Sequence, residues 1–341
     1  MSNLRWGIIG CGDVCEVKSG PALQKAAGSE LVVVCRRQAD LARDFAQRHG
    51  VPRSTGDPQA VIDDPEVDAV YIATPPGSHL DYARRVAAAG KPCYVEKPMA
   101  RTHAECVAMN QAFADAGQKL FVAYYRRCLP RFVAVQEMLA QGRIGTVRSV
   151  DSVQTTNHML TTDPDDLPWR LQAPHSGGGL LLDMGSHTLD VLDLLLGPIT
   201  QARGTARRAS PGRGVADQVE AELTFAGEIT GTARWDFASE GPRTNAVIIH
   251  GSRGSIRFAV FDDNAVTLIA DGETTVTDHP DPPHVHQPLV QTMVDELAGK
   301  GTCPSTGASA ARTSAVMDDL TRAYYGDRDA GFWDRPDAWD C

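Results

Sequence analysis

Over the first 123 residues of this 341-residue chain, short β-branched apolar runs alternate with segments whose apolar residues recur at helical spacing, and few folds accept that alternation. Strands are expected at Leu4–Ile9, Glu30–Cys35, Ala69–Ala73, Pro92–Glu96 and Lys119–Ala123. Helices are expected between them at Ala39–His49, Ser78–Gly90 and Thr102–Gly117, each ending at or near a glycine. Strand, helix, strand in regular succession implies a doubly wound α/β domain with a parallel sheet.

After residue 124 the texture changes. A helix over Pro130–Gln141 is followed by longer alternating segments at Val147–Thr155, Val219–Phe225, Thr230–Phe237, Asn245–His250 and Ser255–Phe261. Alternation of this kind predicts an antiparallel sheet with one covered face. Helices at Leu182–Leu196, Gln287–Leu297 and Ala308–Tyr325 can supply the cover. Two domains are expected, 1–123 and an α+β domain over 124–341, with Asp278–Pro283 read as a surface loop.

Charge narrows the partners. A formal net charge of -10 disfavours general affinity for nucleic acid or anionic membrane and points to a small molecule. The opening MSNLRWGIIG carries too short an apolar stretch for a secretory signal, so the expectation is a cytoplasmic protein. The eight cysteines form no Cys-x-x-Cys pair, and in that compartment they are expected to be reduced and buried.

Gly10-Cys11-Gly12-Asp13-Val14-Cys15 follows the first expected strand. The first glycine permits a tight turn, and the second lets backbone N–H groups approach a pyrophosphate at a helix N-terminus. Gly10, Gly12, Asp13 and Val14 are therefore candidate dinucleotide contacts. Cys15 stands where a third glycine often lies. A reactive thiol beside a helix N-terminus is the sharper alternative to simple packing there. The second expected strand ends Val34-Cys35-Arg36-Arg37 with no carboxylate. A ribose 2′-hydroxyl calls for an acidic partner and a 2′-phosphate for cations, so Arg36 and Arg37 favour NADP(H), with NAD(H) left open.

Three motifs follow in order: Ala73-Thr74-Pro75-Pro76-Gly77-Ser78-His79, Val95-Glu96-Lys97-Pro98, and Gly177-Gly178-Gly179 leading to Asp183-Met184-Gly185-Ser186-His187. With the N-terminal glycines, this series resembles the glucose–fructose oxidoreductase, inositol dehydrogenase and rhizopine-catabolism (Gfo/Idh/MocA) family across essentially the whole chain. The resemblance implies a Rossmann domain followed by an open antiparallel sheet whose free face often meets another subunit, so a homodimer or homotetramer is expected. It implies a catalytic set of Lys97, Asp183 and His187, and nucleotide contacts from Thr74, Pro75, His79, Glu96 and Lys97. It also suggests substrate contacts from Tyr125, Arg126, Trp169 and Arg170, and a sugar, polyol or related cyclic alcohol or ketone as substrate.

The residue chemistry agrees. Imidazole suits removal of a hydroxyl proton near neutral pH, and an ammonium favours a developing oxyanion. His187 is read as acid/base, Lys97 as the polarising group and Asp183 as the orienting group. On a helix, Asp183 and His187 at spacing four would share a face. Lys97-Pro98 is a candidate cis peptide. His284 and His286, two apart, suggest a metal only weakly, because no carboxylate or cysteine stands nearby in sequence; no metal is expected. Two other readings compete: a nucleotide-retaining glycosidase or sugar–sugar oxidoreductase, and an NADP(H)-binding regulatory sensor without turnover.

Overall fold

The structure is a computed structural model describing residues 3–163, 165–210 and 215–339; Cys341 lies outside them. Fourteen strands are described. Six form a parallel sheet: β1 (Leu4–Ile9), β2 (Ser29–Cys35), β3 (Arg53–Thr55), β4 (Ala69–Ile72), β5 (Cys93–Val95) and β6 (Leu120–Val122), in the order β3-β2-β1-β4-β5-β6. This is the doubly wound order that the alternating pattern predicts. Its direction of winding reverses between β1 and β4, where ligands bind at the carboxyl ends of such sheets. The central strands are buried on both faces, which is why they read as continuous apolar runs. Ile9, Val33, Val70, Val95 and Val122 form one core with Val86, Met109 and Phe113 of the flanking helices.

The chain divides into two compact units, and the cut does not fall once at residue 123. The first comprises Met1–Ala100, Glu105–Leu129 and Pro282–Ala311. The returning segment belongs there for a physical reason. Helix Gln287–Leu297 buries Leu289, Val290, Met293 and Val294, and Gln291 exchanges hydrogen bonds with both backbone groups of Ala27. Farther on, the Ser305 hydroxyl donates to the Val122 carbonyl at 2.7 Å, and Thr306 bridges Phe121 at the edge of β6.

The second unit comprises Arg101–Ala104, Pro130–Asp281 and Arg312–Cys341. Its sheet has eight strands: β7 (Val147–Thr155), β8 (Ile199–Arg207), β9 (Gln218–Phe225), β10 (Thr230–Asp236), β11 (Thr244–Gly251), β12 (Gly254–Phe258), β13 (Ala265–Ala270) and β14 (Glu273–Asp278). They run β14-β13-β12-β11-β7-β10-β9-β8. The sheet is mixed, because β7 and β10 pair in parallel in an otherwise antiparallel array. Alternation sorts the faces: Val150, Ser152 and Gln154 are buried, whereas Asp151 and Val153 are exposed. The outer face carries Arg203, Arg207, Glu220, Glu222, Thr232 and Arg234, so it is charged rather than an uncovered apolar surface. Among the described residues no helix is long and apolar enough to cross a membrane.

Candidate active site

Gly10 takes φ +92°, and a Cβ there would stand 2.7 Å from Thr74 Cγ2 and 3.0 Å from the Ala73 and Thr74 backbone. Only a glycine lets the turns after β1 and β4 touch at the point where the sheet reverses. A Cβ on Gly12 would meet nothing nearer than the Gly10 carbonyl at 3.9 Å, so that side of the turn is open to the approach a pyrophosphate needs. Two short helices follow, Asp13–Val17 and Ser19–Lys25, in place of one continuous helix. Asp13 is exposed and Val14 half-buried.

The thiols at this turn are not poised to react. Cys15 is fully buried beside the Ser19 hydroxyl, and burial pushes its thiol up. Burial likewise pushes Cys11 up to about 11 and Cys35 up to about 12. The field of one short helical turn loses to desolvation.

The Cys35 carbonyl accepts from the backbone N–H groups of Gly10 and Cys11 at 2.8 and 3.1 Å. That pair pins the tip of β2, and with it Arg36 and Arg37, beside the glycine turn. Among the described residues neither guanidinium has a hydrogen-bond or ion-pair partner. Across the sheet reversal, Thr74 and Pro75 are half-buried and the Ser78 hydroxyl donates to Thr74 Oγ1.

His79 differs from expectation. It is wholly buried, with Nε2 2.7 Å from the Thr74 carbonyl and Nδ1 3.1 Å from the Met99 carbonyl. Burial lowers its pKa while the carbonyls oppose that. With no exposed surface, its side chain pins the turn instead of reaching a nucleotide.

Glu96 is likewise buried beneath its motif. Its Oε1 accepts from the Tyr71 hydroxyl at 2.5 Å and its Oε2 from the Lys97 backbone N–H at 3.2 Å. Burial raises its pKa, while the Tyr71 hydroxyl and Lys97 draw it down. The Lys97-Pro98 bond is cis, as expected. Tyr125 and Arg126 are buried too: Tyr125 stacks on His286 at 4.4 Å, and Arg126 Nη1 donates to the Tyr125 hydroxyl at 2.9 Å.

In the second unit, Gly177, Gly178 and Gly179 all have positive φ. A Cβ on Gly177 would stand 2.4 Å from the Arg101 Cβ, so this tight passage also requires glycine. Leu181–Gly185 then forms a π-helical turn before helix Ser186–Leu196. Asp183 therefore sits in a widened turn rather than in the α-helix expected from its spacing to His187, and such turns are frequent at functional sites. His187 is buried and meets the Phe261 ring edge-on at 5.7 Å. Asp183 remains partly exposed, with Arg170 Nε 3.5 Å from its Oδ2. The Arg170 guanidinium lies over the Trp169 ring at 4.5 Å. The π-turn has no signature in the sequence beyond the glycines around it.

A parallel sheet of this order with a glycine turn at its reversal is the arrangement of a dinucleotide-binding domain. Residues 4–124 match the family model described as "Oxidoreductase family, NAD-binding Rossmann fold", and residues 132–257 match that of the GFO/IDH/MocA C-terminal domain. The chain belongs to the Gfo/Idh/MocA family of oxidoreductases. It is 34% identical over 319 residues to oxidoreductase P35 of Formosa agariphila, covering 93% of this chain and 98% of that protein. It is 30% identical over 296 residues to levoglucosan dehydrogenase of Pseudarthrobacter phenanthrenivorans, covering 76% of this chain and 74% of that one. A solved structure of levoglucosan dehydrogenase in complex with NADH and levoglucosan has the same fold, with a TM-score of 0.85 at 24% identity, covering 94% of this chain and 97% of that one.

Proposed function

We propose that the protein moves a hydride between NADP(H) and a sugar, polyol or related cyclic alcohol or ketone. The observation that carries the cofactor preference is the end of β2, where the strand runs into Arg36 and Arg37 beside the glycine turn and itself supplies no carboxylate to accept from a ribose 2′-hydroxyl. Two guanidinium groups there favour a 2′-phosphate by charge-assisted hydrogen bonds. The substrate class draws support from the levoglucosan dehydrogenase relative.

In this reading Gly10, Gly12, Asp13 and Val14 present backbone to the pyrophosphate, and Thr74 and Pro75 line the opposite side of the sheet reversal. The bound nicotinamide supplies the hydride acceptor or donor. His187 takes the hydroxyl proton or returns it, Lys97 favours the charge developing on the reacting oxygen, and Asp183 orients its neighbours. Arg170, stacked on Trp169 and facing Asp183, contacts substrate hydroxyls. Tyr125, stacked on His286, and Arg126, donating to the Tyr125 hydroxyl, act as buried supports within the first unit.

The test is calorimetric titration with NADPH and NADH of protein first stripped of nucleotide. It is followed by nicotinamide absorbance assays against levoglucosan, free aldoses and inositols. Tighter NADPH binding with turnover of a cyclic alcohol supports the proposal. Tighter NADH binding overturns the cofactor half; binding without turnover favours a sensor. We also propose a dimer or tetramer formed through the charged outer sheet face, which a monomeric mass by light scattering would contradict.

A further inference from the structure

The two histidines of the returning segment are engaged separately in the first unit. His284 takes the Val17 carbonyl and Lys25 Nζ, both at 2.8 Å, at the surface. His286 is buried, and its Nδ1 lies 2.9 Å from the Tyr94 hydroxyl. Histidines rarely enter a core without a task for both ring nitrogens.

We propose that His286, held by Tyr94, is a positioning residue for Lys97 and acts through the buried Glu96 carboxyl. The inference rests on the reading of Lys97 as the polarising group.

The proton inventory fixes the direction. Burial, joined by the cations of Lys18, Lys97 and Arg126, pushes His286 down to about 3, so the ring is neutral and carries a single proton. With the Tyr94 phenol assigned as donor to Nδ1, that proton stands on Nε2, the tautomer that turns an N–H toward the carboxyl. Nε2 faces Glu96 Oε1 at 3.9 Å, the same oxygen that accepts from Tyr71. The other carboxyl oxygen holds the Lys97 peptide N–H. Each oxygen of Glu96 thus has its own direction: Oε1 toward β4 and the imidazole, Oε2 toward the turn that presents Lys97.

The ring cannot easily turn away. Tyr125 stacks on it at an interplanar angle of 27°, and Tyr94 is itself stacked on Tyr71 at 4.6 Å. The Tyr125 stack and hydrogen bonds at Tyr94 and at both Glu96 oxygens hold the imidazole in one geometry, with its Nε2 in ion-pair range of the carboxyl rather than hydrogen-bonded to it. A functional side chain is only as well placed as the groups behind it. The supporting group comes from residue 286, almost two hundred positions beyond the motif it supports.

The experiment is hydrogen exchange on the full chain, read by mass spectrometry on peptides spanning residues 94–100, β1 and β4. The variants are His286→Phe, His286→Gln and Tyr94→Phe. Loss of one hydrogen-bonded support should speed exchange over 94–100 by about tenfold in His286→Phe and Tyr94→Phe, with β1 and β4 unchanged. His286→Gln, which keeps a donor and an acceptor, should restore most of the protection. Unchanged exchange over 94–100 in a folded variant, or equal acceleration in β1 and β4, overturns the inference. If His286→Phe does not fold, Tyr94→Phe, which removes a single oxygen, decides by the same criterion. Lys97→Ala tests the underlying reading separately: normal turnover there with loosened 94–100 in the His286 variants would leave the positioning intact and remove its catalytic purpose.

Discussion

Arg170 Nε stands 3.5 Å from Asp183 Oδ2, with the guanidinium laid across the Trp169 ring. The pair joins an exposed cation to a carboxylate in a π-helical turn; in the proposed role the arginine exchanges Asp183 for a ligand oxygen. An ion pair this exposed contributes at most about 1 kcal/mol to stability. Arg170→Ala should therefore leave the thermal midpoint nearly unchanged. The same variant should lower kcat/KM for a cyclic polyol by roughly tenfold to a hundredfold, the loss expected of one charged substrate contact. Parallel thermal scans and initial rates check this, and a large fall in midpoint with unchanged kcat/KM would make Arg170 structural.

His187 is buried against Phe261 at the start of helix Ser186–Leu196, where its orientation is set by packing. If it handles the substrate proton, His187→Asn should lower kcat by about a hundredfold or more and leave NADPH affinity near that of the parent. Stopped-flow turnover combined with calorimetry separates the two quantities. Unchanged kcat would exclude the role.

How far the sequence foretold these placements depends on how local each cause is. β1, β7, helix Ala39–His49 and helix Gln287–Leu297 fall on the expected residues, because each carries its own periodic apolar pattern. β14, Glu273–Asp278, has hardly a buried residue, so no pattern betrays it, and the short apolar run of β13 fits a strand or a helix equally. The return of Pro282–Ala311 to the first unit was hidden for another reason: Gln291 of its helix meets Ala27, 264 residues earlier. A separation of 192 residues from Tyr94 concealed His286, whose proposed role is legible only beside Tyr94 and Glu96. Motif spacing singled out Lys97, Asp183 and His187 as candidates but gave no sign of the π-turn, nor that His79, Tyr125 and Arg126 are buried.

β2 runs into Arg36 and Arg37 where a carboxylate would serve a 2′-hydroxyl, next to a turn pinned through the Cys35 carbonyl. Arg36→Asp places like charge against a 2′-phosphate and offers a 2′-hydroxyl an acceptor. It should weaken NADPH by about a hundredfold or more while sparing or improving NADH. Equal losses for both cofactors, measured by fluorescence titration, would assign Arg36 to structure alone.

The buried imidazole of His286 also makes a prediction about acid. Its folded value of about 3 lies below the ordinary 6.5, so between those values the unfolded chain binds a proton that the native chain refuses. The stability linked to this group is complete above pH 6.5. It is lost as pH falls toward 3, by about 1.4 kcal/mol per pH unit at full slope. Glu96 works in the opposite sense: burial raises its pKa, so its contribution is complete below the ordinary 4.5 and is lost as pH rises through the folded value. The two slopes oppose each other just above pH 4.5, and removing the imidazole unmasks the carboxyl. His286→Phe should therefore be less stable than the parent at pH 7.5, with the difference shrinking steadily toward pH 4.5. Urea midpoints at three pH values test this. A difference that stays constant or widens in acid would mean that the ring is protonated inside the folded protein.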